Sequence, residues 1–424
     1  MKEELYRNYI KLLNQEMVKA LGCTEPIAVA LAGAKAREVL GKMPNSILIK
    51  CSQNIVKNVK GATVPTTVDM KGIDTACILG VIAGKSELEL EVLTNVKPDD
   101  IVELKKLLKT GICKVEQLDS GDNLHIICEV KSDNDVVEVE ILGAHTNIST
   151  IKKNGKVVFK KDNGDLGTCN KVDSCILNFN DIYEFTNTFK IDDLKDLINM
   201  QIKCNNAIAE EGLKNDYGAK VGKIILKNAN NSIKETTKAY AAAGSDARMS
   251  GCTMPVVINS GSGNQGMTIL STVYQYAKYL KVSDEKLCRA LVLANLIALW
   301  QKAGIGKLSA FCGAVSAASA GGAAITYMKN GSKKQIEDTV INALSSAGGI
   351  VCDGAKSSCA LKIAVAVDNA ITASDMAINN IVFQNGDGLV KCDIEKTVNA
   401  ICEMAKEGMK DTDKKILELM LRDC

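Results

Sequence analysis

Histidine and aromatic residues are scarce in this chain of 424 residues. The two histidines, His125 and His145, do not stand at the spacing of a metal-binding pair, and no Ser-His-Asp arrangement can be assembled around them. Aromatic residues make up 4% of the chain, with one Trp, which argues against a platform for stacked nucleic-acid bases. His125 alternates with apolar residues, as in a strand, and His145 ends a strand and can face a cleft. A structural role is the first expectation for both.

An excess of charge of either sign is missing as well. The 52 basic and 50 acidic side chains leave a net charge of +2, so nothing predicts binding to nucleic acid. The chain opens on a charged amphipathic helix over residues 1–22 and not on a secretory signal. Residues 308–328 are uncharged, but their content of Ala, Gly and Ser predicts a buried helix and not a membrane span. We therefore expect a cytoplasmic protein with a small-molecule substrate and no nucleic-acid or membrane partner; the oligomeric state stays open, with a homo-oligomer allowed.

Cysteine, by contrast, is abundant, with 16 residues. Their scatter along a chain of this length is not typical of a small secreted disulfide scaffold and indicates a reducing cytosol. Most of these thiols are expected to be small buried hydrophobic groups. Such an excess of cysteine also favours a metal or cluster site.

The pattern of the chain changes twice and predicts three parts. Residues 1–45 read as two helices broken at Leu-Gly-Cys-Thr-Glu-Pro, where Gly22 ends the first helix and Thr24 caps the second. Residues 46–190 carry short β-branched runs between polar turns, which predict a smaller α+β domain with a mostly antiparallel sheet. Residues 191–424 have a helical pattern and predict an all-α domain. The predicted fold class is therefore α+β.

The same patterns give approximate bounds for the elements. Strands are predicted at 47–50, 88–93, 125–130, 136–141 and 157–159. In the last part, helices are predicted at 191–214, 216–227, 233–245, 267–280, 284–303, 308–328, 333–348, 356–376 and 394–421.

Three cysteines stand in the part of the chain that is richest in small residues and poorest in charge. Cys312 lies in Ser-Ala-Phe-Cys-Gly-Ala, and Cys352 and Cys359 lie in Val-Cys-Asp-Gly-Ala-Lys-Ser-Ser-Cys. Their spacing matches neither a zinc knuckle nor a ferredoxin run, so three buried core thiols are the plain alternative. The surrounding glycines, which cost helix stability, favour close approach of the backbone to a bulky inorganic group. Three thiols, not four, would leave one metal position open for chemistry.

Cys23 directly precedes a predicted helix, where the helix dipole and free N–H groups favour an anion. This position predicts a lowered thiol pKa and a reactive thiolate. A buried cysteine at a helix junction is the alternative, and position alone leaves both open. Lys302 and Lys307 flank the approach to Cys312, where they can neutralise a cluster or a carboxylate, or be ordinary surface charges.

Two polar segments are candidates for binding a carboxylate. The glycine-rich loop Ser260–Gly266 formally matches a dinucleotide fingerprint, but no βαβ unit surrounds it. At a helix N-terminus it can instead bind a small anion, with the amides of Asn264 and Gln265 nearby; a plain flexible turn is the alternative. In the second segment, Asn54, Lys57 and Asn58 can share one helical face, or belong to a solvated turn.

Four motifs together resemble one known family, the L-cysteine desulfidases, which are related to the α domain of bacterial iron–sulfur L-serine dehydratases. The motifs are Leu-Gly-Cys-Thr-Glu-Pro (21–26), Ser-Asp-Ala-Arg-Met (245–249), Asn-Ser-Gly-Ser-Gly-Asn-Gln-Gly (259–266) and Lys-Leu-Ser-Ala-Phe-Cys-Gly-Ala (307–314). The resemblance covers nearly the whole chain. It implies a 4Fe–4S cluster with one open iron, held by Cys312, Cys352 and Cys359, and a functional role for Cys23. The β domain of those dehydratases has no clear match here, which leaves the role of residues 46–190 open.

The resemblance also implies a reaction: L-cysteine and water give pyruvate, ammonia and hydrogen sulfide. Cys23 is the candidate base for the Cα proton, which requires the N-terminal helices of 1–45 to pack on the helical domain. In the related dehydratases a cysteine at the extreme C-terminus can reach the cluster; this chain ends in Cys424, and no such role is assumed for it. The expected substrate-binding residues are Thr24, Asn54, Asn58, Ser260, Ser262, Gly263, Asn264 and Gln265.

Other functions remain as alternatives. The nearest is an iron–sulfur L-serine or L-threonine dehydratase, which performs the same elimination on an oxygen leaving group. An electron-transfer protein is disfavoured by the open iron. A pyridoxal-phosphate lyase is disfavoured because no lysine-centred cofactor site is found, and a nicotinamide oxidoreductase rests only on the glycine pattern already set aside.

Overall fold

The computed structural model describes residues 1–161 and 172–422, and Cys424 lies outside them. The described helices are α1 (Glu3–Glu16), α2 (Thr24–Leu40), α3 (Gln53–Gly61), α4 (Ile73–Ala83), α5 (Pro98–Thr110), α6 (Phe179–Thr188), α7 (Lys195–Lys214), α8 (Val221–Lys227), α9 (Ile233–Met249), α10 (Gly263–Leu280), α11 (Asp284–Ile305), α12 (Gly313–Met328), α13 (Lys333–Ala347), α14 (Cys359–Ile378), α15 (Ile394–Glu403) and α16 (Lys410–Leu421). The described strands are β1 (Lys19–Leu21), β2 (Ser46–Ser52), β3 (Cys113–Leu118), β4 (His125–Ser132), β5 (Asp135–Leu142), β6 (Ile148–Lys153), β7 (Lys156–Lys160) and β8 (Pro255–Val257).

Six of the strands form one sheet in the order β3-β2-β4-β5-β6-β7. Only the pair of β2 and β3 is parallel, and the other pairs are antiparallel. Buried and less buried residues alternate along the central strands, because successive side chains of a strand point to opposite faces of the sheet. One face of the sheet is therefore apolar. The mixture of this sheet with a large helical part confirms the predicted α+β fold class.

Two large hydrophobic cores are present among the described residues, beside two small clusters. One packs the apolar face of the sheet against α2 and α4, and the other gathers α1, α6 and most helices from α10 to α15. Within the first core, α2 and α4 cross so closely that a Cβ at Gly80 would overlap the backbone of Ala30. The crossing therefore requires glycine at that position.

The two N-terminal helices separate between these cores. Tyr9, Leu12 and Leu13 of α1 lie in the helical core, whereas α2 packs on α4, β4 and β5. The expectation that both helices pack on the helical part is therefore wrong for α2, which is buried nearly all round and can lie under the sheet. The division into 1–45, 46–190 and 191–424 stays a prediction of the sequence.

A short two-stranded ribbon corrects the predicted helix over residues 1–22. The helix α1 ends at Glu16, and β1 pairs in antiparallel fashion with β8, with Ala20 opposite Val256. Gly22 and Cys23 directly follow β1, and the glycine-rich loop Ser260–Gly266 follows shortly after β8. The ribbon therefore sets these two distant segments side by side.

Three other predicted elements differ from the structure. The stretch predicted as a strand at 88–93 is mostly a 3-10 helix, Ser86–Glu91, in which only Leu90 is buried. The helix predicted over 394–421 is interrupted by a π-helical turn, Met404–Gly408, between α15 and α16. The uncharged stretch 308–328 forms the buried helix α12 from Gly313 onward. Among the described residues, no helix has the length and apolar character needed to cross a membrane.

Candidate active site

A cavity of about 100 Å³ lies where four helices begin. Cys23 and Ser262 are the N-caps of α2 and α10, Cys312 is the N-cap of α12, and Cys359 is the first residue of α14. All four residues have a side chain or backbone at the cavity wall. Because helix N-termini carry partial positive charge and free N–H groups, their convergence favours negative charge inside the cavity.

Backbone hydrogen bonds join the segments that carry Cys312 and Cys352. The segments around Phe311 and Val351 form an antiparallel bridge. In this bridge the N–H of Cys312 donates to the carbonyl of Ile350 at 3.1 Å, and the N–H of Cys352 donates to that of Ala310 at 2.6 Å. Cys359 follows the loop that begins at Cys352, and its thiol lies 3.6 Å from the carbonyl of Gly354. All three side chains are partly buried and line the cavity.

Burial dominates the chemistry of these thiols. It raises the pKa of Cys312 to about 12, with a further contribution from nearby Cys352, and it raises the pKa of Cys359. A buried lysine, Lys302, also lines the cavity, and burial lowers its pKa to about 8. The thiols of Cys312 and Cys359 are therefore neutral until something binds that stabilises thiolates, as metal ions do.

The donor set fits a cluster better than a single ion. Within residues 1–161 and 172–422, no three His, Cys, Asp or Glu side chains converge closely enough to hold one metal ion. In an iron–sulfur cluster the cysteines bind different iron atoms, so they need not converge on one point. Three soft sulfur donors around a cavity with buried cationic character fit this group.

Cys23 and Glu25 form a buried pair at the start of α2. The Cys23 thiol donates to Oε2 of Glu25 at 2.9 Å. Burial raises the pKa of Cys23 well above its ordinary value, and the Glu25 carboxylate raises it further, against a smaller opposite effect of Arg248. The predicted lowering of the Cys23 pKa is therefore wrong, because burial and the Glu25 carboxylate together outweigh the helix N-terminus.

The other oxygen of Glu25 faces groups from the sheet part of the chain. Nδ2 of Asn58 donates to Oε1 at 3.1 Å, and Nε2 of His145 lies 3.6 Å from the same oxygen. Burial raises the pKa of Glu25, but His145 and the Cys23 thiol outweigh it and bring the pKa to about 2. Glu25 is therefore the resting anion of this pair.

A buried arginine stands over the glycine-rich loop. Arg248 of α9 donates to the side-chain oxygen of Asn264 and to the carbonyl of Gly22. A Cβ at Gly263 would overlap its guanidinium, so any other residue there would displace the Arg248 side chain. Thr24 was predicted to cap α2, but the N-cap is Cys23. The Thr24 hydroxyl instead donates to the carbonyl of Gly261 at 2.8 Å, which links the loop to the start of α2.

Most of the predicted site residues lie at this cavity. Those that line it are Cys23, Thr24, Asn58, Ser262, Gly263, Asn264, Gln265, Cys312, Cys352 and Cys359. Asn54 and Ser260 do not line it. Asn54 is buried on α3 with its Oδ1 unpaired among the described residues, and Ser260 occupies the tight turn that precedes α10, at φ 51°.

Five further groups at the site were not among the predicted catalytic, substrate-binding or metal-ligating residues, although the sequence places Lys302 and Lys307 near one of the three clustered cysteines. Glu25, Arg248, Lys302 and Lys307 line the cavity, and His145 contacts Glu25 behind it. Arg248 carries a signal in the sequence, since it is a charged residue in a run of Ala, Gly and Ser. Glu25 carries no such signal, because acidic residues are common in the first turn of any helix.

Known proteins are similar to this chain over nearly its whole length. The serine dehydratase alpha chain family matches residues 87–418. A UPF0597 protein of Lachnoclostridium phytofermentans is 49% identical over 98% of this chain and 100% of its own length. A UPF0597 protein of Finegoldia magna is 48% identical over 98% and 99%, respectively. UPF0597 protein DSY1109 of Desulfitobacterium hafniense is 45% identical over 100% and 98%.

Proposed function

The chain belongs to the serine dehydratase alpha chain family, and we propose that it is an iron–sulfur L-cysteine desulfidase. The reaction would convert L-cysteine and water to pyruvate, ammonia and hydrogen sulfide. The observation that carries this proposal is the cavity that Cys312, Cys352 and Cys359 share with the buried Cys23–Glu25 pair. It combines sulfur donors for a cluster with groups that can move a proton.

The proposed cofactor is a 4Fe–4S cluster held by Cys312, Cys352 and Cys359. When bound, such a cluster with an open iron supplies a Lewis acid that stabilises the departing sulfur. Soft iron suits a sulfur leaving group, which favours L-cysteine over L-serine as substrate.

The remaining steps belong to the side chains of this protein. Ser262, Asn264 and the N-terminus of α10 would orient the substrate carboxylate. Cys23 would take the Cα proton, and its own proton would pass to Oε2 of Glu25 along the 2.9 Å bond. Because Cys23 and Glu25 are both buried, bulk water would not compete for that proton. The aminoacrylate released would tautomerise and hydrolyse to pyruvate and ammonia in solution.

The ligand assignment is tested by matched cysteine variants. After anaerobic reconstitution with iron and sulfide, Cys352→Ser should hold at most about half of the iron of the unmodified protein and lack turnover. Cys288→Ser is the control, because Cys288 is buried in the helical core away from the cavity. Iron content and the visible absorption spectrum are the measurements. Full iron and activity in Cys352→Ser would remove this cysteine from the ligand set.

The substrate is tested by a direct comparison under anaerobic conditions. Sulfide release from L-cysteine is measured beside pyruvate release from L-serine and 2-oxobutyrate release from L-threonine. A higher kcat/KM for L-cysteine supports the desulfidase. The family match favours one second candidate, an iron–sulfur L-serine or L-threonine dehydratase, and a preference for a hydroxy amino acid would select it.

A further inference from the structure

Two buried side chains of opposite charge line the cavity without pairing with each other. Arg248 is 2% exposed and Glu25 is 7% exposed. Among the ion pairs of the described residues, none joins Arg248 to a carboxylate. Burying a charge is costly unless it is paired, so an unpaired cation beside a separate anion needs a reason.

Arg248 has a donor left over for a ligand. Its two Nη groups donate to Asn264 and Gly22, both of which are uncharged acceptors. Its Nε has no hydrogen-bond partner among the described residues, although it is buried. The guanidinium lies beside Gly263, the first residue of α10, where free backbone N–H groups add positive character. A planar cation with a free N–H in this setting suits a carboxylate.

Glu25 has acceptor capacity left over. One oxygen accepts from Cys23 at 2.9 Å and the other from Asn58 at 3.1 Å. Thr24 is 3.2 Å from Glu25, but its single proton makes the shorter bond to the carbonyl of Gly261. His145 at 3.6 Å is beyond hydrogen-bond distance. Each carboxylate oxygen therefore keeps a lone pair for a further donor.

We propose that Arg248 and Glu25 bind the two charges of a zwitterionic α-amino acid, Arg248 its carboxylate and Glu25 its ammonium group. They are then specificity-determining residues that exclude simple acids and simple amines from the cavity. The identity of the ligand rests on the proposed function, but the pairing of charges rests on the two side chains.

Three unreactive probes separate the two charges. L-Alanine carries both, propionate lacks the ammonium group, and ethylamine lacks the carboxylate; none has a leaving group, so turnover does not interfere. Binding is measured by anaerobic calorimetry on the reconstituted protein. The unmodified protein should bind L-alanine at least about tenfold more tightly than either other probe. Equal binding of the three probes, or no binding of L-alanine, would overturn the proposal.

Two variants should each remove one of the two charge contacts with the ligand. Arg248→Gln should weaken L-alanine at least about tenfold and leave ethylamine unchanged, whereas Glu25→Gln should weaken L-alanine similarly and leave propionate unchanged. Arg37→Gln is the control, because Arg37 also has a buried, unpaired Nε but lies outside the cavity. Should Arg248→Gln fail to fold by circular dichroism, Arg248→Lys keeps the charge without the planar fork and should show a smaller loss of the same kind. Variants that bind L-alanine as the unmodified protein does would overturn the proposal.

The outcome is separable from that of the proposed function. If the protein discriminates among the probes in this way but releases neither sulfide nor pyruvate, the proposed roles of Arg248 and Glu25 stand and the proposed lyase activity is rejected. If the protein is an active desulfidase but binds the three probes equally, the proposed lyase activity stands and the proposed roles of Arg248 and Glu25 are rejected.

Discussion

At the scale of single residues, Cys23 is governed by its neighbour more than by its place at a helix start. Position at the N-terminus of α2 stabilises a thiolate, but the same helix end already holds the Glu25 carboxylate. In a buried site two negative charges this close are strongly disfavoured, so the proton stays on sulfur. The resting pair is therefore a thiol and a carboxylate, and any base function of Cys23 depends on Glu25.

Removing the charge of Glu25 should make Cys23 more reactive. Glu25 raises the pKa of Cys23, so Glu25→Gln should lower that pKa, and each unit of lowering gives about tenfold more thiolate near neutral pH. The measurement is the rate of iodoacetamide labelling of the Cys23 peptide between pH 6 and 10. Glu16→Gln is the control, since Glu16 pairs with Lys307 at 3.1 Å and not with Cys23. A labelling rate that is unchanged or slower in Glu25→Gln would contradict the effect of Glu25 on the Cys23 pKa.

The cysteines of the candidate site were predictable from the sequence, but the charged groups Glu25 and Arg248 were not. The three clustered cysteines stood out because small residues and glycines surround them along the chain. Glu25, by contrast, meets Asn58 and His145, and Arg248 meets Gly22 and Asn264. Most of these partners are far apart in sequence, so no local pattern could show that the charges share a cavity.

At the scale of elements, a buried carboxylate of α9 accepts a hydrogen bond from the first turn of the short helix α8. Asp246 accepts from the N–H of Gly222 at 3.0 Å, and its second oxygen has no partner among the described residues. Burial raises the pKa of Asp246 from 3.8 to about 6. A carboxyl group with a raised folded-state pKa favours the folded state at low pH, and this contribution is lost as pH rises through about 6.

Asp246→Asn should therefore remove a pH dependence of stability. In the unmodified protein, this group should lower the free energy of unfolding by about 2 kcal/mol between pH 4.5 and pH 8. The variant keeps an acceptor for Gly222 and should lack that part of the change, as measured by urea unfolding at the two pH values. Asp216→Asn is the control, because the pKa of Asp216 is lowered to about 2 by Lys220 and Lys223, below this pH range. An identical pH dependence in Asp246→Asn would refute the assignment.

Regular elements were largely predictable and irregular ones were not. The strands at 125–132 and 135–142 follow a period-2 pattern that burial on one face requires. The stretch Ser-Glu-Leu-Glu-Leu-Glu at 86–91 shows the same alternation, yet it forms a 3-10 helix that packs on α2 and β1 and is paired with no strand among the described residues. The strands β1 and β8 have three residues each, too few for a pattern, and exist because they pair with each other.

At the scale of the whole molecule, both cores contribute to one cavity. The three cysteines and Arg248 come from the helical half of the chain, whereas Asn58 and His145 come from the first half. His145 lies just beyond β5 and is buried against Glu25. The sheet part of the chain therefore has a place at the candidate site, which the sequence left open.

Replacing His145 should separate metal binding from turnover. His145→Gln removes the group beside Glu25 and should reduce turnover about ten- to hundredfold, while iron content stays normal because the ligand cysteines lie on other elements. His125→Gln is the matched control, since His125 contacts Glu140 and Ser120 at 2.9 Å on the sheet, away from the cavity. Iron content and sulfide release are measured in parallel. Equal turnover in the two variants would exclude His145 from the mechanism.

The pairing of β1 with β8 also fixes when the site can form during protein synthesis. This ribbon closes a loop of roughly 235 residues, an entropic cost that only later contacts can offset. Cys23 leaves the ribosome early, whereas Cys359 follows only after most of the chain has been made. A nascent chain therefore has no complete cavity, and acquisition of a cofactor must wait until synthesis is nearly finished.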